Sequence, residues 1–131
     1  MKDLKLNTPC IIEGRVLEEE TALHMRSGSL RVFATPAMIA KMEQASCGAL
    51  EEFLEDGETT VGTAMDIQHL APTPVGGRYS VRAEVIAVNG REITFHVSAS
   101  DEVGEIGSGT HKRFLVYAEK FQQKANQRGK V

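Results

Sequence analysis

The 131-residue chain predicts an α+β fold in which one long helix covers a single antiparallel sheet. Three observations carry that reading. Thr35-Pro36 is a clear helix start and opens a run whose apolar residues recur at helical spacing. Past Gly57 the period drops to two and stays there to about Lys120. Short turns such as Asn89-Gly90 interrupt that stretch, and only antiparallel neighbours can be joined so tightly.

Each element follows in order. PCIIEGRVL predicts a first strand from Cys10 to Val16, and the charged, Ser-Gly-broken segment from Glu18 to Arg31 predicts a loop. Thr35 is placed as N-cap through its hydroxyl, with Pro36 at the first helical position, where its missing N–H costs nothing. The helix is expected to run to about Leu54, with Glu55-Asp56-Gly57 as its stop. On the helical wheel Ile39, Met42, Ser46, Leu50 and Phe53 share one face, and Glu43 is the one charged residue among them. A strand follows in which Val61, Thr63, Met65, Ile67 and His69 share a face, with Gly62, Ala64, Asp66 and Gln68 on the other. Pro72 and Pro74 end it and Gly76-Gly77 turn the chain. Strands Arg78–Val88 and Glu92–Ser100 form a hairpin, and a turn near Asp101–Gly104 leads to a last strand from Glu105 to about Lys120. Gly107 and Gly109 share one face of that strand and permit close backbone approach. The polar tail from about residue 122 is expected to fray.

Composition bounds the possible functions. The length suits a single domain with a real core, and 41% hydrophobic with 25% charged residues is ordinary for a globular protein. A formal net charge of −3 argues for neither nucleic acid nor a membrane surface as partner. The first ten residues lack the apolar core of a signal peptide, so the cytoplasm is the expected location. Two cysteines, Cys10 and Cys47, are too few for a disulfide scaffold or a zinc cluster, and no metal is expected. One five-turn helix cannot cover both faces of a five-stranded sheet. The outer face and the edges therefore predict a homodimer or higher assembly.

Two reactive side chains point where the pattern asks for apolar ones: Glu43 on the helix and His69 on the strand. Burial would favour the protonated form of the first, and the second titrates near neutral pH. Each has a structural explanation too. Thr35 caps helices in any protein, a single Glu can serve a subunit contact, a single His can be a satisfied core residue, and Gly62 can simply relieve crowding. Lys112 and Arg113 can belong to a solvated face. His24, His96 and His111 have no comparable setting in the pattern.

Three blocks, VFATPAMIAKMEQA, VGTAMDIQHLAPTPVGGR and VSASDEVGEIGSGTHKRFLV, resemble in order and spacing the fluoroacetyl-CoA thioesterase-like family of hotdog-fold thioesterases. The resemblance runs from about Val32 to Phe121 and implies a long helix wrapped by a five-stranded antiparallel sheet. It also implies hydrolysis of a small acyl-CoA thioester, with coenzyme A as part of the substrate and no separate cofactor. The family's threonine, glutamate and histidine fall on Thr35, Glu43 and His69, the glycine near the thioester carbonyl on Gly62, and an arginine near the acyl or CoA end on Arg113. One departure concerns specificity. The family's fluoroacetyl enzyme carries lid phenylalanines before the VFAT block, whereas LHMRSGSLRVFAT has none before Phe33. The alternative is a hotdog protein that holds CoA or another small ligand without turning it over. A dehydratase would need a different His/Asp or His/Glu pairing.

Overall fold

The computed structural model describes residues 1–4, 6 and 9–129. Five strands, β1 (Pro9–Arg15), β2 (Glu58–His69), β3 (Arg78–Asn89), β4 (Glu92–Asp101) and β5 (Glu105–Tyr117), form one antiparallel sheet in the order β1-β3-β4-β5-β2. The sheet wraps the helix α2 (Thr35–Leu50), which is the expected architecture.

The inner layer follows from alternation. In β3 and β4, Val81, Ala83, Val85, Ile93, Phe95, Val97 and Ala99 are all buried against the helix. From α2 they meet Met38, Met42, Ala45, Ala49 and Leu50. Each large side chain buried here stabilises the fold by about 1.5–3 kcal/mol relative to leaving it in water. Small residues let the layers come close. A Cβ on Gly107 would stand 3.0 Å from the Met38 methyl and 2.7 Å from the Gln68 carbonyl oxygen, so the glycine of β5 is the seat of the helix.

Several expectations are corrected. Helix α2 ends at Leu50, not Leu54, and a tight turn over Glu51–Phe53 follows it. Its buried stripe is centred on Met38, Met42 and Ala45, which moves Ile39 and Glu43 to the flank facing β2. The segment expected as a loop contains a one-turn helix, α1 (Ala22–Met25), capped by the Thr21 hydroxyl accepting from the His24 N–H. The two-residue turn of the β3–β4 hairpin is Gly90-Arg91, one residue further on, with Gly90 at φ +63°. Strand β5 stops at Tyr117, and the tail is helical as α3 (Ala118–Arg128), begun by the Ala118 N–H donating to the Gly57 carbonyl. The outer sheet face carries Arg82 and Glu84, paired at 3.0 Å, beside His96. What stays open are the two edges, β1 and β2. Among the described residues no helix is long and apolar enough to cross a membrane.

Candidate functional site

The geometry of the site starts from a defect in β2. Its pairing with β5 slips between Gly62 and Ala64, leaving Thr63 as an extra residue. Before the bulge Thr60 and Gly62 face the helix, and after it Met65, Ile67 and His69 do. The strict alternation expected from sequence had put Gly62 on the face opposite His69. The bulge corrects this and brings both residues to the same side. They face α2 along the flank that carries Thr35, Ile39 and Glu43, which are spaced one helical turn apart.

At the N-terminal end of that flank, the Thr35 hydroxyl lies 2.7 Å from His69 Nδ1. Thr35 is not the N-cap. Ala34 holds that position, with no side-chain cap, and Pro36 is the second residue of the helix. The hydroxyl is thus free for the histidine instead of the helix end. His69 Nε2 is buried and makes no hydrogen bond. Burial holds the His69 pKa below the ordinary 6.5, and the nearby Ala71 backbone offsets part of that without reaching hydrogen-bond geometry. The pair opens on a cavity of about 290 Å³ lined by Ala22, Val32, Phe33, Leu70 and Pro72 among others.

Two turns along the helix lies a second cluster. Arg113 is buried, and each of its three guanidinium nitrogens has a partner. Nε donates to the Thr60 hydroxyl at 2.9 Å, Nη2 to the Thr60 carbonyl at 3.0 Å, and Nη1 to Glu43 Oε2 at 3.3 Å. Nη1 also stands 3.1 Å from His111 Nε2, and His111 Nδ1 is 2.8 Å from the Ala64 carbonyl. The Glu43 side chain keeps 44% of its surface exposed in the single chain, so the full burial expected from the wheel is not met. Gly62 leaves the gap between these groups. A Cβ there would stand 3.0 Å from Glu43 Oε2 and 3.2 Å from the His111 ring. Ile39, Glu43, Gly62, Met65 and His111 line the opening, about 260 Å³ in volume.

Of the residues singled out from sequence, Thr35 and His69 meet each other, and Glu43, Gly62 and Arg113 meet one another. The two groups are eight residues apart on α2, about 12 Å along its axis. His111 was passed over in sequence. The signal for it was present, because Gly107, Gly109, His111 and Arg113 alternate along one strand and share the helix-facing side. Lys112 points the other way, 3.8 Å from Glu92 on the exposed face.

Comparison with known proteins gives this geometry a lineage. Residues 16–119 match the family model described as fluoroacetyl-CoA-specific thioesterase. The chain is 46% identical over 97 residues to the fluoroacetyl-CoA thioesterase of Streptantibioticus cattleyicolor, covering 74% of this chain and 70% of that protein. The solved structure of the fluoroacetyl-CoA thioesterase FlK superposes with a TM-score of 0.91 at 36% identity, over 96% of this chain and 98% of the other. A threonine-to-serine variant of that enzyme has been solved in complex with acetyl-CoA. A hot-dog-like protein of Thermanaerovibrio acidaminovorans, 23% identical, shares the fold with a TM-score of 0.87 over 95% of this chain and 93% of its own. The chain belongs to the fluoroacetyl-CoA-specific thioesterase family of hotdog-fold thioester hydrolases.

Proposed function

We propose that this protein hydrolyses a short acyl-CoA thioester, with Thr35, Glu43 and His69 acting at the scissile bond and Gly62 and Arg113 supporting the substrate and Glu43. The observation that carries the reading is the gap at Gly62. Backbone without a side chain lies against a carboxylate that is open to solvent on one side and held by an arginine on the other. A thioester carbonyl seated there would have an oxygen base or nucleophile in reach.

The chemistry divides between the two clusters. Glu43, paired with Arg113, takes the proton of an attacking water or attacks the carbonyl itself. Neutral His69 has two forms. If Nδ1 accepts the Thr35 proton, Nε2–H is a donor aimed at the developing oxyanion or at the leaving thiolate. If Nδ1–H donates to Thr35, Nε2 is a base. An Nε2 with no protein partner suits either role, because a substrate atom can complete it.

A homodimer is part of the proposal. Within one chain the Thr35–His69 pair and Glu43 lie about 12 Å apart along the helix, and β2 is an open edge beside both. Two copies related by a two-fold axis along that edge would bring the Glu43 of one toward the Thr35–His69 pair of the other. The substrate is read as a small acyl-CoA, not fluoroacetyl-CoA specifically. The cavity beside His69 is near the lower end for ligand pockets, and the segment before Phe33 has no phenylalanine to form a lid. Residence in the cytoplasm is proposed on the same footing.

Thiol release from acetyl-, propionyl- and fluoroacetyl-CoA tests the proposal, with Glu43→Ala as the control. Turnover of at least one short acyl-CoA that disappears in a folded Glu43→Ala protein is the expected result. Full activity in that variant would sink the role of Glu43. Calorimetric binding of all three with no thiol release would make the protein a CoA-binding module.

A further inference from the structure

We propose that His111 is a positioning residue of this site: held in its neutral Nδ1–H form, it ties the bulge that presents Gly62 to the arginine that aims Glu43. The proposal rests on the thioesterase reading above, and it concerns a residue whose two ring nitrogens are both turned to protein partners.

The tautomer follows from its neighbours. Arg113 can only donate, so His111 Nε2 at 3.1 Å from Nη1 must be the accepting nitrogen. The Ala64 carbonyl can only accept, so Nδ1 at 2.8 Å carries the proton. Two independent constraints thus specify one form. A doubly protonated ring would point an N–H at the guanidinium and set two cations side by side. Burial, the largest cause, and Arg113 both hold the His111 pKa below 6.5, while the Ala64 carbonyl and Glu43 pull it upward. The ring lies beside that of Phe95, with centroids 6.1 Å apart and planes 28° from parallel.

The second half of the argument concerns what each partner does to Arg113. Thr60 fixes the guanidinium plane through Nε and Nη2. That leaves three protons, two of them on Nη1, and His111 takes one of the Nη1 pair. The other is then directed at Glu43 Oε2, whose contact of 3.3 Å is the loosest in the cluster. Through Ala64, the same ring holds the residue that closes the bulge two positions after Gly62. Without the ring, both the aim of Nη1 and the path of the backbone behind the gap are released.

The test uses His111→Leu, which offers neither donor nor acceptor, and His111→Gln, whose amide offers one of each. In the full-length protein, His111→Leu is expected to lower kcat for the best acyl-CoA by about tenfold or more. KM should stay within about twofold, and His111→Gln should recover most of the loss. Parental kcat in His111→Leu overturns the proposal. So does an equal kcat loss in both variants that merely follows their melting temperatures. An arm independent of activity is the nitrogen-15 spectrum at pH 7. It should show a bare Nε2 and a protonated Nδ1, with Arg113 Nη1 protons that are slow to exchange in the parent and His111→Gln but fast in His111→Leu. An Nε2–H tautomer, or unchanged exchange in His111→Leu, is equally fatal. If the parent releases no thiol from any acyl-CoA, the thioesterase reading has failed, and the spectra alone decide whether His111 holds Arg113.

Discussion

Thr35 and His69 are joined side chain to side chain at 2.7 Å, although 34 residues separate them in the chain. The hydroxyl is turned to the strand, and Ala34 stands at the N-cap of α2 without a side-chain cap. Thr35→Ala therefore removes no cap. The lost bond is exposed and should cost under about 1 kcal/mol of stability. Its effect on turnover should be far larger, a fall in kcat of about ten- to a thousandfold, if the hydroxyl sets the His69 tautomer. Thr35→Ser, which keeps the hydroxyl, should retain most activity. Urea unfolding beside thiol-release kinetics separates the two effects, and a kcat unchanged in Thr35→Ala would remove Thr35 from the mechanism.

Two glycines on the helix-facing side of the sheet should respond oppositely to alanine. At Gly62 the new methyl meets only side chains, Glu43 Oε2 at 3.0 Å, the His111 ring at 3.2 Å and Arg113 Nη1 at 3.4 Å. The half-exposed carboxylate can move by a few tenths of an ångström and the ring must give slightly, so Gly62→Ala should lose less stability than Gly107→Ala and lose activity by filling the gap. At Gly107 the methyl meets the Gln68 carbonyl oxygen at 2.7 Å, which is backbone and cannot yield cheaply. Gly107→Ala should destabilise by about 1–3 kcal/mol through overpacking of β5 against the β2 backbone and Met38 of α2. Denaturant midpoints and kcat for the pair provide the check. A Gly107→Ala midpoint equal to that of the parent would show that helix and sheet do not need their close approach.

Stability should fall on the acid side before the carboxylates titrate. His69 and His111 both have folded pKa values below 6.5, chiefly because burial disfavours the charged ring. Between 6.5 and those lower values the unfolded chain binds protons that the folded chain does not. The contribution is therefore present in full above pH 6.5 and is lost as the pH falls from there through the folded values. Melting temperatures at pH 7.5 and 5.5 should differ, with the lower value at pH 5.5. Removing one titrating ring in His111→Gln should make the dependence shallower. An equal or higher melting temperature at pH 5.5 would contradict the burial of these rings in solution.

The parts of this fold that could be read from residues alone are those where local chemistry and tertiary environment agree. Strands β3 and β4 alternate because each odd position from Val81 to Val85, and from Ile93 to Ala99, packs on the helix. The start of α2 was legible because Thr35-Pro36 permits little else. The bulge at Thr63 was not, since one inserted residue changes no composition and shows only in the pairing with β5. Its invisibility put Gly62 on the wrong face. Helix α3 was missed for a different reason. It buries no residue, so no apolar stripe announces it, and it is begun by one backbone bond to Gly57. The pattern alone leaves Arg113 open between a solvated face and a ligand contact, because Thr60 and His111, which hold it inside, lie at positions that look ordinary.

The turn between β4 and β5 depends on Asp101. Its Oδ1 accepts from the Val103 N–H at 2.9 Å and the Gly104 N–H at 3.2 Å, and its Oδ2 accepts from the Thr73 hydroxyl at 2.8 Å. One carboxylate thus closes a tight turn and pins it to the segment that leads from β2 to β3. The Thr73 hydrogen bond is the main cause of a carboxyl pKa below 3.8, followed by those from the turn N–H groups. Asp101→Ala should lose about 1–3 kcal/mol, because it leaves the nearly buried Thr73 hydroxyl without its acceptor and frees two turn N–H groups. Asp101→Asn keeps the shape and an acceptor and should lose less. Asp101, Val103 and Gly104 line neither opening beside α2, so kcat and KM measured well below the melting temperature should change far less than stability in both variants. A stability loss of the same size in Asp101→Asn would locate the effect in the charge and not in the hydrogen bonds.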